Sequence, residues 1–136
     1  MKNNFKSLFV FFLGIGIASA ADKEIESYQA LISPADLVDS QNKNISLGEY
    51  ALLQDRIHFY TEEDKDKYDG GGKHFFKSEK NRAKLIEIIQ YSVKKGTIMK
   101  EDLQTLTDGD KIVHVIMYEE EKSGKHYATL GIAEAS

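Results

Sequence analysis

The chain of 136 residues has no cysteine, and several chemistries fall with it. No disulfide can staple the fold, no thiolate can act as nucleophile or metal ligand, and no lipid-carrying cysteine is available for a lipoprotein anchor. Long apolar runs are also missing. The longest, Leu8 to Ile17, is about half of the ~20 residues that a spanning helix needs. A surplus of positive charge is absent too: 18 basic residues stand against 22 acidic ones, which disfavours tracking a phosphate backbone and so nucleic acid as a partner. There is no Gly-x-Ser-x-Gly elbow and no His-Glu-x-x-His pair.

What the amino end does contain is ordered. Lys2 and Lys6 precede the apolar run, and Ala18-Ser19-Ala20 supplies small residues before the polar Ala21-Asp22-Lys23-Glu24. That is the order of a cleavable secretory signal. The expectation is a signal peptide over 1–20, a single domain over 21–136, and no transmembrane segment once the signal is removed. Cleavage after Ala20 removes two lysines and no acid, leaving an acidic domain with 16 basic residues. A cysteine-free exported domain points to a bacterial periplasmic or secreted protein. Asn44-Ile45-Ser46 matches a glycosylation sequon, but such triplets arise readily by chance.

Periodicity predicts an α+β fold. A small antiparallel sheet of three or four strands should end in a C-terminal hairpin and pack on one main amphipathic helix, with short N-terminal helices. Ile25, Tyr28, Leu31 and Ile32 recur at helical spacing, which predicts a helix over 22–32. Ser33-Pro34-Ala35-Asp36 then reads as a restart, with a capping serine, proline at the first position and an acid at the third. Ser46-Leu47-Gly48-Glu49 fits a capping box for a helix through 53, although Gly48 weakens it and the segment could instead be an edge strand. Ile57 and Phe59 alternate with His58 and Tyr60, predicting a strand over 56–61. Residues 61–73, with five acids and Gly70-Gly71-Gly72, read as a loop, and 73–77 as a brief strand.

Ser78 should cap the main helix, 79–95, which Gly96 terminates behind Lys94 and Lys95. One or two helical turns follow over 100–106. The strands 111–119 and 126–133 should pair through a turn containing Ser123-Gly124, in a two-residue loop or a four-residue loop starting at Glu121. Both give the same parity, placing Val113, Val115 and Met117 with Ala128, Leu130 and Ile132 on the core face under the main helix. The other face, with His114, Ile116, Tyr118, Tyr127 and Thr129, is too apolar to stand bare, and the amino-terminal helices are its expected cover.

No cofactor and no metal is expected. The four histidines show no chelating spacing, and hairpin parity separates His114 from His126. Asp64-Lys65-Asp66-Lys67-Tyr68-Asp69-Gly70 imitates a calcium loop but has Tyr68 at a ligand place and Asp69 at the glycine. Lys77, Lys80, Arg82 and Lys84 form a basic stretch at the start of the main helix, a solvated face or a contact for an anionic partner. Export, small size and the lack of a catalytic motif favour a non-enzymatic module that binds another protein, such as an inhibitor or immunity protein. Alternatives are a small periplasmic hydrolase using His58 or His114, and a carrier of a small or lipidic ligand. The expected partner-binding residues are the loop acids Glu62, Glu63, Asp64, Asp66 and Asp69, with glycines letting the backbone adapt, and then His114 and Tyr118 on the second hairpin face.

Overall fold

A computed structural model describes residues 18–62 and 69–135. The signal expected over 1–20 lies almost wholly outside them. The described chain runs β1 (Lys23–Ile32), a 3-10 turn (Pro34–Leu37), α1 (Gly48–Thr61), a second 3-10 turn (Phe75–Lys77), α2 (Glu79–Arg82), α3 (Leu85–Lys95), α4 (Lys100–Thr105), a third 3-10 turn (Leu106–Asp108), β2 (Lys111–Glu119) and β3 (His126–Glu134). The three strands form one antiparallel sheet in the order β1-β2-β3. The fold is α+β.

The carboxyl hairpin has the parity expected. Val113 pairs with Ile132, Val115 with Leu130 and Met117 with Ala128, and all six lie in the core. The turn is the four-residue alternative. Glu119 pairs with His126, the Glu120 N–H donates to the Lys125 carbonyl at 2.8 Å, and Gly124 N–H donates back to Glu120. The helix α3 covers this face through Leu85, Ile88 and Ile89. Ser92 and Thr97 fasten it to the sheet. Ser92 Oγ accepts from Ala128 N–H at 2.7 Å, and Thr97 Oγ1 donates to the Ala128 carbonyl at 2.7 Å, so both outward backbone groups of this edge residue are satisfied.

The main helix is divided. Ser78 Oγ caps α2 by accepting from Asn81 N–H at 3.2 Å, and Gly96, at φ +91°, ends α3, both as expected. Between them the helix is interrupted by a turn at Ala83 and Lys84. Arg82, one of the basic stretch, donates to the carbonyls of Phe76 and Lys77 at 3.0 and 2.9 Å, and Asn81 donates to Phe75. Residues 73–77 contain this 3-10 turn in place of a brief strand.

Two expectations at the amino end are overturned. Residues 23–32 are a strand, not a helix. Tyr28, Ala30 and Ile32 alternate into the core, and β2 offers a full-length edge that needs a partner. The short sequence satisfies both periods, and the tertiary ladder decides. Consequently no amino-terminal helix from 22–32 covers the second sheet face; β1 extends that face with Ser27, Gln29 and Leu31.

The second correction concerns 56–61, which continues α1 and is not a strand. The buried residues of α1 are Gly48, Ala51, Leu52, Asp55 and Arg56, a helical stripe whose later turn is charged. That charge pair conceals the helix from an apolar count and leaves the Ile57/Phe59 alternation as the visible signal. Ser46 does not cap it either. The N-cap is Leu47, without a side-chain cap, and Gly48 is required by packing: a Cβ there would lie 2.0 Å from the Leu103 carbonyl oxygen of α4.

A cleft of carboxylates between the first strand and the first long helix

The site begins with a helix start. Ser33 N–H donates to Asp36 Oδ2 at 2.9 Å, and Ser33 Oγ donates to the same oxygen at 3.3 Å. This is the restart read from Ser33-Pro34-Ala35-Asp36, realised as a single 3-10 turn. The other carboxylate oxygen, Oδ1, lies 2.8 Å from His58 Nδ1 on α1. Asp36 is buried, and burial pushes its carboxyl above the ordinary range, against the opposing hydrogen bonds from Ser33 and His58.

Asp55, His58 and Glu62 stand at i, i+3 and i+7 and share one side of α1. His58 Nε2 is 3.9 Å from Glu62, which is exposed. Asp55 is 6 % exposed and accepts from Arg56 Nε at 2.8 Å. Desolvation dominates there. It raises the Asp55 carboxyl to about 7, with Asp36 and Asp69 adding to the rise and Arg56 opposing it. Arg56 is itself only 2 % exposed. Its guanidinium carbon sits 3.9 Å from the Tyr28 ring centroid and 4.5 Å from that of Phe59, a desolvated cation–π arrangement. Its second partner is Asp69, 3.9 Å away.

These groups border an open cleft of about 180 Å³ lined by Leu31, Ser33, Ala35, Asp36, Asp55, His58, Glu62 and Asp69. Four carboxylates face one imidazole, with one guanidinium behind them. Such a field attracts a cation and opposes development of an oxyanion. The Asp36–His58 pair can hold or pass a proton, but Ser33 is bonded to the aspartate, not to the imidazole, so this is no nucleophilic triad.

Of the expected binding residues, Glu62 and Asp69 meet in this cleft. Glu63, Asp64 and Asp66 lie outside the described residues. Asp69 does not project from a strand end. It is buried against Arg56, and the element before the loop is a helix. Nor are the glycines slack. Gly70 bridges to Gln29 through two backbone hydrogen bonds, and Gly71 and Gly72 have φ of +82° and +100°. A Cβ on Gly72 would meet Glu26 Oε1 at 3.0 Å and the Ser27 carbonyl at 3.2 Å. Glu26, buried on β1, accepts from the backbone N–H groups of Lys73 and Phe75 and holds this strap down. His114 and Tyr118 lie away from the cleft. His114 contacts Ser27 Oγ at 3.1 Å, burial lowers its pKa, and Tyr118 stacks on Tyr127.

Asp36, Asp55 and Arg56 were not singled out from sequence. Asp36 was legible as a helix-start acid, but nothing local marks its second oxygen as the partner of His58, 22 residues away. Among the described residues no group of three His, Asp or Glu side chains is placed to hold a metal ion, and no helix is long and apolar enough to cross a membrane. Comparison with protein-family models, with curated proteins and with solved structures finds no match.

Proposed function

We propose that the chain is exported to the bacterial envelope, periplasmic or secreted, and acts there as a small protein-binding module such as an inhibitor or immunity protein. Export rests on the charged, apolar, small-residue order of 1–20 and on the lack of cysteine. The observation that carries the binding reading is the carboxylate cleft. It is built on regular elements, its buried acids are held by Ser33, His58 and Arg56, and its volume suits a single side chain of a partner. Intact mass of envelope material should correspond to a chain starting at Ala21; recovery of 1–20 in a membrane fraction overturns export. Affinity capture from the envelope should retain a partner that salt elutes and that Glu62→Lys binds at least tenfold more weakly. If the unmodified chain retains no envelope protein, the binding reading is wrong.

A second reading, a small hydrolase, is favoured by one feature, the Asp36–His58 pair in an accessible cleft. The surrounding acids oppose it for any reaction that builds negative charge on oxygen. Hydrolysis of a model ester that His58→Gln abolishes, with folding unchanged, would establish it. The carrier reading finds the space between sheet and α3 filled by Leu85, Ile89, Val115 and Leu130, each at most 1 % exposed.

A further inference from the structure

The strand β1 lies at an edge of the sheet, so its backbone groups point alternately to β2 and outward. Gln29 points outward. Its N–H donates to the Gly70 carbonyl at 2.9 Å, and its carbonyl accepts from Gly70 N–H at 3.0 Å. Two residues on, with no bulge between, Leu31 presents its N–H and C=O in the same direction; the only register shift lies back at Glu24/Glu26. No described group bonds to either.

On the other side of Gln29 the edge is closed. Ser27 N–H donates to Glu26 Oε1 at 3.0 Å, and Gly71 and Gly72 lie so near the Ser27 carbonyl that a Cβ on either would come within 3.3 Å of it. Among the described residues the glycine strap therefore covers β1 as far as Gln29, and none of them pairs with Leu31. An unpaired edge is a template for another strand. At this edge Leu31 is also a wall of the acidic cleft, with Asp36, Asp55, Glu62 and Asp69 around it. Backbone donor, backbone acceptor and a negatively charged side-chain pocket thus occur together. An added strand supplies affinity through its main chain and specificity through the side chain that it drops into a pocket. The cleft holds on the order of six waters, room for one long side chain.

We propose that an extended segment of a partner protein adds to β1 at Leu31 and places a lysine or arginine side chain in the cleft. This rests on the protein-binding reading and names the partner's chemistry. The probe is the blocked peptide Thr-Val-Lys-Val-Thr, with glutamate or norleucine replacing lysine as controls, titrated into the protein by NMR with amide hydrogen exchange. The lysine peptide should bind in the micromolar to millimolar range, at least tenfold more tightly than either control, and slow exchange of the Leu31 amide about tenfold or more. Added salt should weaken it. Leu31→Pro removes the outward donor at a position where an edge strand tolerates proline, and should abolish the binding. If that variant does not fold, exchange on the unmodified protein decides.

Equal binding of the lysine and glutamate peptides, no response at millimolar peptide, or unchanged Leu31 exchange in the complex would overturn the proposal. So would a Leu31 amide already protected in the free protein, because the edge would then be occupied. A captured partner that binds Leu31→Pro and Glu62→Lys undiminished refutes this inference and leaves protein binding standing.

Discussion

Replacing Asp55 by asparagine should stabilise the protein at pH 8 and leave it nearly unchanged at pH 4, although it removes an ion pair with Arg56. Asp55 is almost fully buried, and its carboxyl is held at about 7 against an ordinary 3.8. The folded chain therefore keeps a proton that the unfolded chain has released. Stability falls as pH rises from about 4 to about 7, and above 7 the folded state carries the full burden of an ionised buried group. About three pKa units at 1.36 kcal/mol each sets an upper value of about 4 kcal/mol, and relaxation around the cleft brings the expectation to about 2–4 kcal/mol. Asparagine retains an oxygen for Arg56 Nε, and Arg56 retains Asp69.

Urea unfolding of both proteins at half-unit steps from pH 4 to 8 gives the difference directly. Asp36, whose carboxyl is also raised by burial, slopes the same way in both proteins, and the loss of the neighbouring Asp55 charge in the variant eases its ionisation and adds to the difference at high pH. The two curves should coincide near pH 4 and separate through pH 7, the variant above. If the variant is the less stable protein at pH 8, Coulombic attraction outweighs desolvation, and the account of this cluster is wrong.

Three other outcomes follow from the packing. Val115→Asp places an unpaired carboxylate at a 1 % exposed core position and should cost several kcal/mol, enough to unfold a domain of ~5–15 kcal/mol; a melting curve near that of the unmodified protein would refute the hairpin register. Gly48→Ala should destabilise by about 1–3 kcal/mol or more despite alanine's better helix propensity, because its Cβ meets the α4 backbone; stabilisation in thermal melts would show that α1 and α4 separate freely. Glu120, beside the hairpin turn, receives hydrogen bonds from Lys95, Tyr91 and Ser123, which hold its carboxyl down at about 2. Its contribution is present above the unfolded value of 4.5 and is lost as pH falls towards 2, so Glu120→Gln should flatten the acid limb of the melting profile.

The sequence was legible where one periodic signal stood alone. The hairpin offered a single parity that buries Val113, Val115 and Met117, and Ser78 and Gly96 mark helix ends by local chemistry that no distant contact has to supply. The amino half failed for a different reason. Residues 23–32 carry apolar groups compatible with periods of both 3.6 and 2, and only the β2 edge, some 80 residues away in sequence, selects the strand.

The candidate site was hidden by the same feature that makes it one. An inward helical stripe is recognised by apolar residues, yet the second half of the α1 stripe is Asp55 and Arg56. Reading them as surface charges truncates the helix and turns His58 and Tyr60 into strand residues. Once α1 is continuous, Asp55, His58 and Glu62 fall on one side by geometry alone, and Asp36 and Asp69 close around them from opposite sequence directions. Burying three carboxylates with one guanidinium, beside a half-buried imidazole, opposes folding, whereas apolar residues of similar volume would pack there at no such cost. This least favourable local chemistry lies beside Leu31, an edge position that no described residue pairs, and a cation entering the cleft would relieve it.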